Sequence, residues 1–315
     1  MNKPFVLGVD IGGTNIKLGL VDAAGKIISK SNLVTATFLS HKNQLIDGLL
    51  QGCEQLIQKN YLQKNDIAGI GIGLPGLIDA QKGIARFLPN IPGWKNVALK
   101  NIIEKKIGVA TFIDNDVNLM TLGEWKFGAG QGFSNMVCMT LGTGVGGGLI
   151  INNELYRGEG FSAGELGHIP LNEEGPPCNC GGKGCLERYV GNKYLLEKAQ
   201  KLFKKKHISL EEINHLASLG NPKALQFWQE TGTYIGLGLV SVVNILNPQR
   251  IIIGGGISNA SKHLFPVIEE TIKTRAMNIP ARMVKIVKAK LADEAGIMGA
   301  YVLLNFCQLM EHLLD

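Results

Sequence analysis

The chain has 315 residues, 45% of them hydrophobic and 18% charged, with a net charge of +6 and a pI near 8.9. It can bury a large core, is long enough for two domains, and has the make-up of an ordinary water-soluble globular protein. Its lysines are spread along the chain, Lys204-Lys205-Lys206 being the one tight cluster, which reads as a solvated helix end rather than a nucleic-acid patch.

The first predicted element is a β-hairpin. The apolar run Phe5 to Val9 leads into the turn Asp10-Ile11-Gly12-Gly13-Thr14-Asn15, and the alternating run Ile16 to Val21 leads out of it. Glycine has no Cβ, so such a tip can approach a ligand closely. The start, Met1-Asn2-Lys3-Pro4 followed at once by this strand, lacks the parts of a signal peptide. No apolar stretch reaches the roughly 18 residues of a membrane span. The expected location is the cytoplasm, with neither nucleic acid nor membrane as a partner.

After a turn at Gly25-Lys26, Asn43 to Lys59 carries Leu45, Leu49, Leu50, Leu56 and Ile57 at helical spacing. A strand is predicted over Ile67 to Leu74, ended by Pro75-Gly76, and the proline-rich stretch Arg86 to Trp94 reads as an irregular loop. Helix Leu99 to Lys106 and strand Val109 to Asp114 complete an α/β domain with a mixed sheet.

Helix Leu119 to Phe127 then crosses to a second hairpin, Met136 to Ile151, in which Gly142 aligns with Gly12 and Gly144 with Thr14. From Asn192 to Asn247 the chain is almost all helical. Strand Arg250 to Ile253 runs into Gly254-Gly255-Gly256, followed by helix Leu264 to Ala276, strand Val284 to Ala289 and helix Ala295 to Cys307.

Three glycine turns, at Gly12-Gly13, Gly142 to Gly148 and Gly254 to Gly256, each leave a strand, and each can offer backbone N–H groups to an anion. No Gly-x-x-x-x-Gly-Lys-Ser/Thr loop is present, and Gly144 to Gly148 precedes a strand rather than a dinucleotide-binding helix. Two hairpins facing each other, with a third turn at a helix start, suit a nucleoside triphosphate. Asp10 then holds Mg²⁺ through water beside the phosphates, the alternative being a turn-capping carboxylate.

Asp114-Asn115-Asp116 ends a strand just before a helix, where α/β sheets present ligand-binding groups. Phosphoryl transfer to an alcohol needs a carboxylate that orients the hydroxyl and accepts its proton, and Asp116 fits, with Asp114 as its rival and a helix N-cap as the alternative role. Downstream, His168 stands ten residues before Cys178, Cys180 and Cys185, a Cys₃His set for one structural zinc ion, with a redox pair as the weaker alternative. Cys53, Cys138 and Cys307 read as reduced core residues. Asn90, Asn115, Asp116, Glu165, His168 and Glu187 together offer the paired acceptors and donors that a polyhydroxylated ligand requires.

The motifs Asp10-Ile-Gly-Gly-Thr14, Gly73-Leu-Pro-Gly76, Asn115-Asp116, Gly142-Thr-Gly-Val-Gly-Gly-Gly148, Glu165-Leu-Gly-His168 and Cys178-x-Cys-Gly-x-x-Gly-Cys185-x-Glu187 together resemble the ROK family of sugar kinases and repressors. The resemblance runs from Phe5 to about Ala300 and implies the α/β actin-like ATPase fold, with two duplicated RNase H-like domains flanking a cleft. The expected division is 1–116 plus 296–315 against 117–295, in a homodimer or homotetramer. It implies Asp116 as general base, and Gly76, Asn90, Asn115, Glu165, His168 and Glu187 as sugar ligands. ATP and Mg²⁺ fall to Asp10, Gly12, Gly13, Thr14, Lys17, Gly142, Thr143, Gly144, Gly254, Gly255 and Gly256, and zinc to His168, Cys178, Cys180 and Cys185. The repressors of the family carry a DNA-binding helix-turn-helix ahead of the sugar domain, and the start of the first motif at Asp10 favours the enzymes. Pro89-Asn90-Ile-Pro-Gly-Trp94 and the full zinc motif resemble the glucokinases, so glucose is the expected hexose. Fructokinases, allose kinases, kinases of N-acetylmannosamine or N-acetylglucosamine, and a non-catalytic sugar sensor are the alternatives.

Overall fold

The computed structural model describes residues 4–38, 42–88 and 93–314, without the side chains of residue 42 and of those beyond 306. The chain forms two units, one of Met1–Gln131, Leu155–Ala163 and Leu291–Asp315, the other of Gly132–Glu154 and Gly164–Lys290.

In the first unit, β1 (Phe5–Ile11) and β2 (Asn15–Asp22) make the expected hairpin and β3 (Ile27–Val34) continues it antiparallel. After helix α1 (Lys42–Lys59), strand β4 (Ile67–Leu74) pairs parallel with β1. Three short strands, β5 (Leu77–Asp79), β6 (Ile84–Phe87) and β7 (Lys95–Val97), form a small antiparallel sheet of their own. Arg86 and Phe87 therefore lie in a strand and not in the loop expected from residue 86 onward, because Arg86 is fixed by an ion pair to the buried Asp79 carboxylate at 2.6 Å. Helix α2 (Leu99–Ile107) and strand β8 (Thr111–Asn115) follow, giving the sheet order β3-β2-β1-β4-β8.

Alternation along these strands sorts the two faces of the sheet. Leu7, Val9, Ile11, Ile16, Leu18 and Leu20 pack with Leu45 and Leu49 of α1 and Leu99 and Ile103 of α2. On the other face stand glycines: a Cβ on Gly8 would lie 2.7 Å from the Ile297 carbonyl oxygen, and one on Gly71 2.6 Å from that of Ala300. Helix α10 (Ala295–Leu314) therefore rests directly on the strands.

Helix α3 (Asp116–Phe127) lies beside α10, begins three residues earlier than its apolar spacing indicates, and is capped by Asn115, whose side chain accepts from the N–H groups of Val117 and Asn118. Trp125 stacks on Phe306 with ring centres 5.8 Å apart, and the buried Glu124 carboxylate accepts from the N–H groups of Ala129 and Leu291. This packing keeps α3 in the first unit, so the unit runs on to Gln131 and takes up its last stretch at Leu291, rather than dividing after Asp116 and before residue 296. An added Cβ on Gly299 would sit 1.8 Å from the carbonyl oxygen of Leu119, a backbone atom that cannot swing aside. Gly299→Ala is expected to destabilise the first unit by about 3 kcal/mol in denaturant titration. An unchanged midpoint would contradict this close approach.

The second unit repeats the plan. Strands β9 (Met136–Leu141) and β10 (Val145–Ile151) make an antiparallel hairpin, with the short strand β11 (Glu154–Tyr156) next in the sheet. Helices α4 (Glu187–Val190), α5 (Asn192–Phe203), α6 (Leu210–Ser218) and α7 (Pro222–Leu246) come before strand β12 (Arg250–Gly254). Then come α8 (Ser261–Arg275), α9 (Asn278–Met283) and strand β13 (Lys285–Lys288). The order β11-β10-β9-β12-β13, with β12 parallel to both β9 and β13, matches that of the first unit. Two sheets of one topology are the duplicated RNase H-like pair of the actin-like ATPase fold. Lys204 ends α5 in a left-handed conformation, and Lys204 to Lys206 are exposed, as a solvated helix end should be. Cys53 and Cys138 are buried and unbridged, and the side chain of Cys307 lies outside the described residues.

Candidate active site

The three parallel strands of the first unit end in step. Asp10 of β1 pairs in register with Gly73 of β4, and Gly73 with Asp114 of β8. Their carboxyl ends therefore bring together the Asp10 turn, the Pro75-Gly76 turn and the Asn115-Asp116 corner, the edge at which such sheets receive ligands. Gly76 has φ of 101°, a left-handed conformation that favours glycine, and its carbonyl accepts from the Asn115 side-chain amide at 3.1 Å. Asp116 is the first residue of α3 and its carboxylate accepts from the N–H of Val117 at 3.0 Å. The capping role weighed for it in the sequence is held by Asn115.

Asp114 is fully buried and each of its oxygens meets two donor nitrogens. Oδ1 takes the Asn115 N–H at 2.7 Å and the Asn118 amide at 2.8 Å; Oδ2 takes Arg157 Nε at 2.8 Å and Nη2 at 2.6 Å. A carboxylate so occupied is poorly placed to take a substrate hydroxyl as well. Arg157, in the short segment Leu155–Ala163, went unmarked in the sequence, where a lone arginine after a three-residue strand gives no periodic or motif signal.

At the first hairpin tip, Gly12 donates to the Asn15 carbonyl, and Thr35 braces the turn from outside through the carbonyls of Gly12 and Thr14. Gly13 and Thr14 are left exposed. Asp10 packs against the start of α10, where a Cβ on Gly296 would lie 2.5 Å from its Oδ2. Burial pushes the Asp10 carboxyl up to about 6, against the pull of the Lys17 ammonium and with a further push from the Asp293 carboxylate. Lys17 itself pairs with Asp293 at 2.6 Å.

In the second unit the hairpin tip and Glu187 meet. Glu187 Oε2 accepts from the Val145 N–H at 2.8 Å, and a Cβ on Gly144 would come within 2.4 Å of that oxygen. Glycine at 144 is what lets the carboxylate reach the tip. The third glycine turn closes on the same hairpin: Gly255, at φ of 82°, lies where a Cβ would meet the Leu141 carbonyl oxygen at 2.3 Å. Thr143, Gly255 and Gly256 are exposed.

His168 closes a single helical turn that begins after Glu165. Its Nδ1 lies 3.7 Å from Cys178 Sγ, Cys180 Sγ lies 3.6 Å from Cys185 Sγ, and the four donor atoms all fall within 4.8 Å of one another. A tetrahedral zinc ion with bonds of about 2.3 Å to sulfur requires donor separations of about 3.8 Å, so the set fits the ion in number, type and spacing. The other ring nitrogen, Nε2, is 3.9 Å from Glu165 Oε2. Left-handed glycines at 181 and 184 turn the chain tightly enough to bring the cysteines together.

Among the residues marked in the sequence, Asp10, Gly12, Gly13, Thr14, Lys17, Gly76, Asn115 and Asp116 thus belong to the first unit. Gly142, Thr143, Gly144, Glu165, His168, Glu187, Gly254 to Gly256 and the three cysteines belong to the second. Asn90 lies outside the described residues.

The family model described as "ROK family" matches residues 6–306. A glucokinase of Thermotoga maritima is 35% identical over 95% of this chain and 97% of its own length. A xylose repressor of Bacillus spizizenii is 33% identical over 99% of this chain and 78% of its own. Among solved structures, a ROK family glucokinase from Streptomyces griseus in complex with glucose and AMPPNP superimposes with a TM-score of 0.80 at 30% identity, covering 94% of this chain and 97% of the other.

Proposed function

The chain belongs to the ROK family, and from that membership we propose that this sugar kinase transfers the terminal phosphoryl group of ATP to the 6-hydroxyl of glucose. The observation that carries the reading is the strand-end corner in which Asn115 caps α3 and Asp116 opens it, in step with the Asp10 turn. In this reading Asp116 accepts the proton of the attacking hydroxyl, raising its nucleophilicity as it meets the phosphorus. Asn115, already tied to the Gly76 carbonyl, holds a neighbouring hydroxyl beside the base, and Asn90 joins that set.

Glu165, His168 and Glu187 take the remaining hydroxyls. Zinc on Nδ1 would leave the His168 imidazole a single tautomer with Nε2–H as donor, so the loop from Glu165 to Glu187 is braced for recognition rather than reaction. Gly12 and Gly142 hold the two turns by donating to the carbonyls of Asn15 and Gly144, and Gly13-Thr14 and Thr143-Gly144 offer backbone N–H groups to the phosphates, with Gly254 to Gly256 toward the nucleoside. Mg²⁺, when bound, neutralises charge on the phosphates, and a cation reached through water would favour the ionised form of Asp10.

Glucose is favoured over other hexoses by the kinship with glucokinases. Assayed by ADP release with glucose, fructose, mannose, N-acetylglucosamine and N-acetylmannosamine, the protein is expected to give its highest kcat/KM with glucose. A higher value for another sugar would replace glucose and keep the kinase. Silence with all five would favour the second reading, a sugar-responsive protein without turnover, which the similarity to the xylose repressor supports.

A further inference from the structure

We propose that Arg157 is a positioning residue for phosphoryl transfer, acting by neutralising and holding the buried Asp114 carboxylate on which the Asn115-Asp116 corner is built. The proposal rests on Asp116 being the base.

Asp114 is removed from water, and a carboxylate there is tolerated only when it is paired and its lone pairs are filled. Its own corner fills Oδ1 with two uncharged donors, the Asn115 N–H and the Asn118 amide, and these set where Asn115 and the first turn of α3 lie. The charge is met by Arg157 alone among the ion pairs of the described residues, through Nε and Nη2 on the single oxygen Oδ2. A guanidinium presents those two N–H groups side by side in a rigid plane, which an ammonium cannot do.

Arg157 is itself held in place. Its carbonyl accepts from the Ala163 N–H at 3.0 Å, closing a tight loop in which Gly158 takes φ of 70°. Two residues after Ala163 comes Glu165, the first of the hydroxyl ligands proposed in the second unit. The guanidinium thus fastens the corner carrying the base to the stretch of chain that leads into the sugar-binding turn. Without it the Asp114 charge is left buried and unpaired, and a turn of the side chain toward water disturbs the two bonds that set the corner.

The test compares R157M, R157K and the double variant D114N/R157M with the wild type, assayed with the sugar that the wild type prefers. A base displaced by even an ångström is expected to lower kcat of R157M by roughly 100-fold, with both KM values within about threefold of wild type. R157K, which keeps the charge and loses the fork, should lose about tenfold. D114N/R157M should recover about tenfold over R157M, because an asparagine oxygen still accepts from Asn115 and Asn118 with no charge left stranded. Should R157M fail to fold by circular dichroism, the comparison of R157K and the double variant with the wild type decides. Wild-type kcat in R157M or R157K, a double variant no better than R157M or, where R157M does not fold, a double variant roughly 100-fold or more below wild type overturns the proposal. A wild type silent with every sugar overturns the kinase reading and this inference with it, whereas an active wild type beside an unaffected R157M overturns the inference alone.

Discussion

Asp116→Asn is expected to reduce kcat by roughly 1,000-fold while leaving the fold, the zinc content and the KM for sugar nearly unchanged. The change is isosteric, and the cap of α3 is supplied by Asn115, so the helix keeps its first hydrogen bonds. What the helix loses is a negative charge in its first turn, worth about 0.3–1 kcal/mol. What the reaction loses is the group that accepts the hydroxyl proton. No neighbour can replace it from the same strand end, since both oxygens of Asp114 are occupied by Asn115, Asn118 and Arg157. Steady-state kinetics of the purified variant, with thermal unfolding as a control, measure this directly. Turnover close to wild type would rule out Asp116 as the base.

The second large effect concerns the Cys₃His set. The folded protein is expected to carry one zinc ion per chain by elemental analysis, and Cys185→Ser to lose it. Cys185 is buried, its backbone bridges to Pro170, and its neighbour Leu186 bonds through its N–H to the Ile169 carbonyl. Loss of the ion therefore loosens the segment that carries Glu165, His168 and Glu187 together. The KM for sugar should rise by about tenfold or more, with the KM for ATP less affected. Active protein free of zinc would refute the assignment, and equal losses for both substrates would point to general unfolding of the second unit.

Much of this was legible in the sequence because hairpins and buried strands announce themselves. Ile67 to Leu74 was bounded correctly by its apolar run and by Pro75-Gly76, and both glycine hairpins fell where alternation placed them. The Cys₃His cluster was legible from spacing alone, since four such donors within eighteen residues have few other arrangements. The small sheet of β5, β6 and β7 was not, because strands of three or four residues are too short to show a period and are held by Asp79 and Arg86 instead. The start of α3 was missed because its first turn, Asp-Val-Asn, is polar and takes its stability from the Asn115 cap rather than from an apolar face. Arg157 escaped for a deeper reason. Its meaning lies in a carboxylate 43 residues away, and a single ion pair at that distance leaves no pattern along the chain.

The first unit is drawn from three separate stretches of chain, the last of which supplies α10, and this sets an order of events as the protein is synthesised. Strands β1 and β4 leave the ribosome early, yet the face lined by Gly8 and Gly71 has no cover until residues 295–314 arrive. The second unit, closed by residue 290, has all its parts before then. The domain that begins first is therefore finished last, and a nascent chain stopped short of α10 would present a bare glycine-lined sheet to chaperones and proteases.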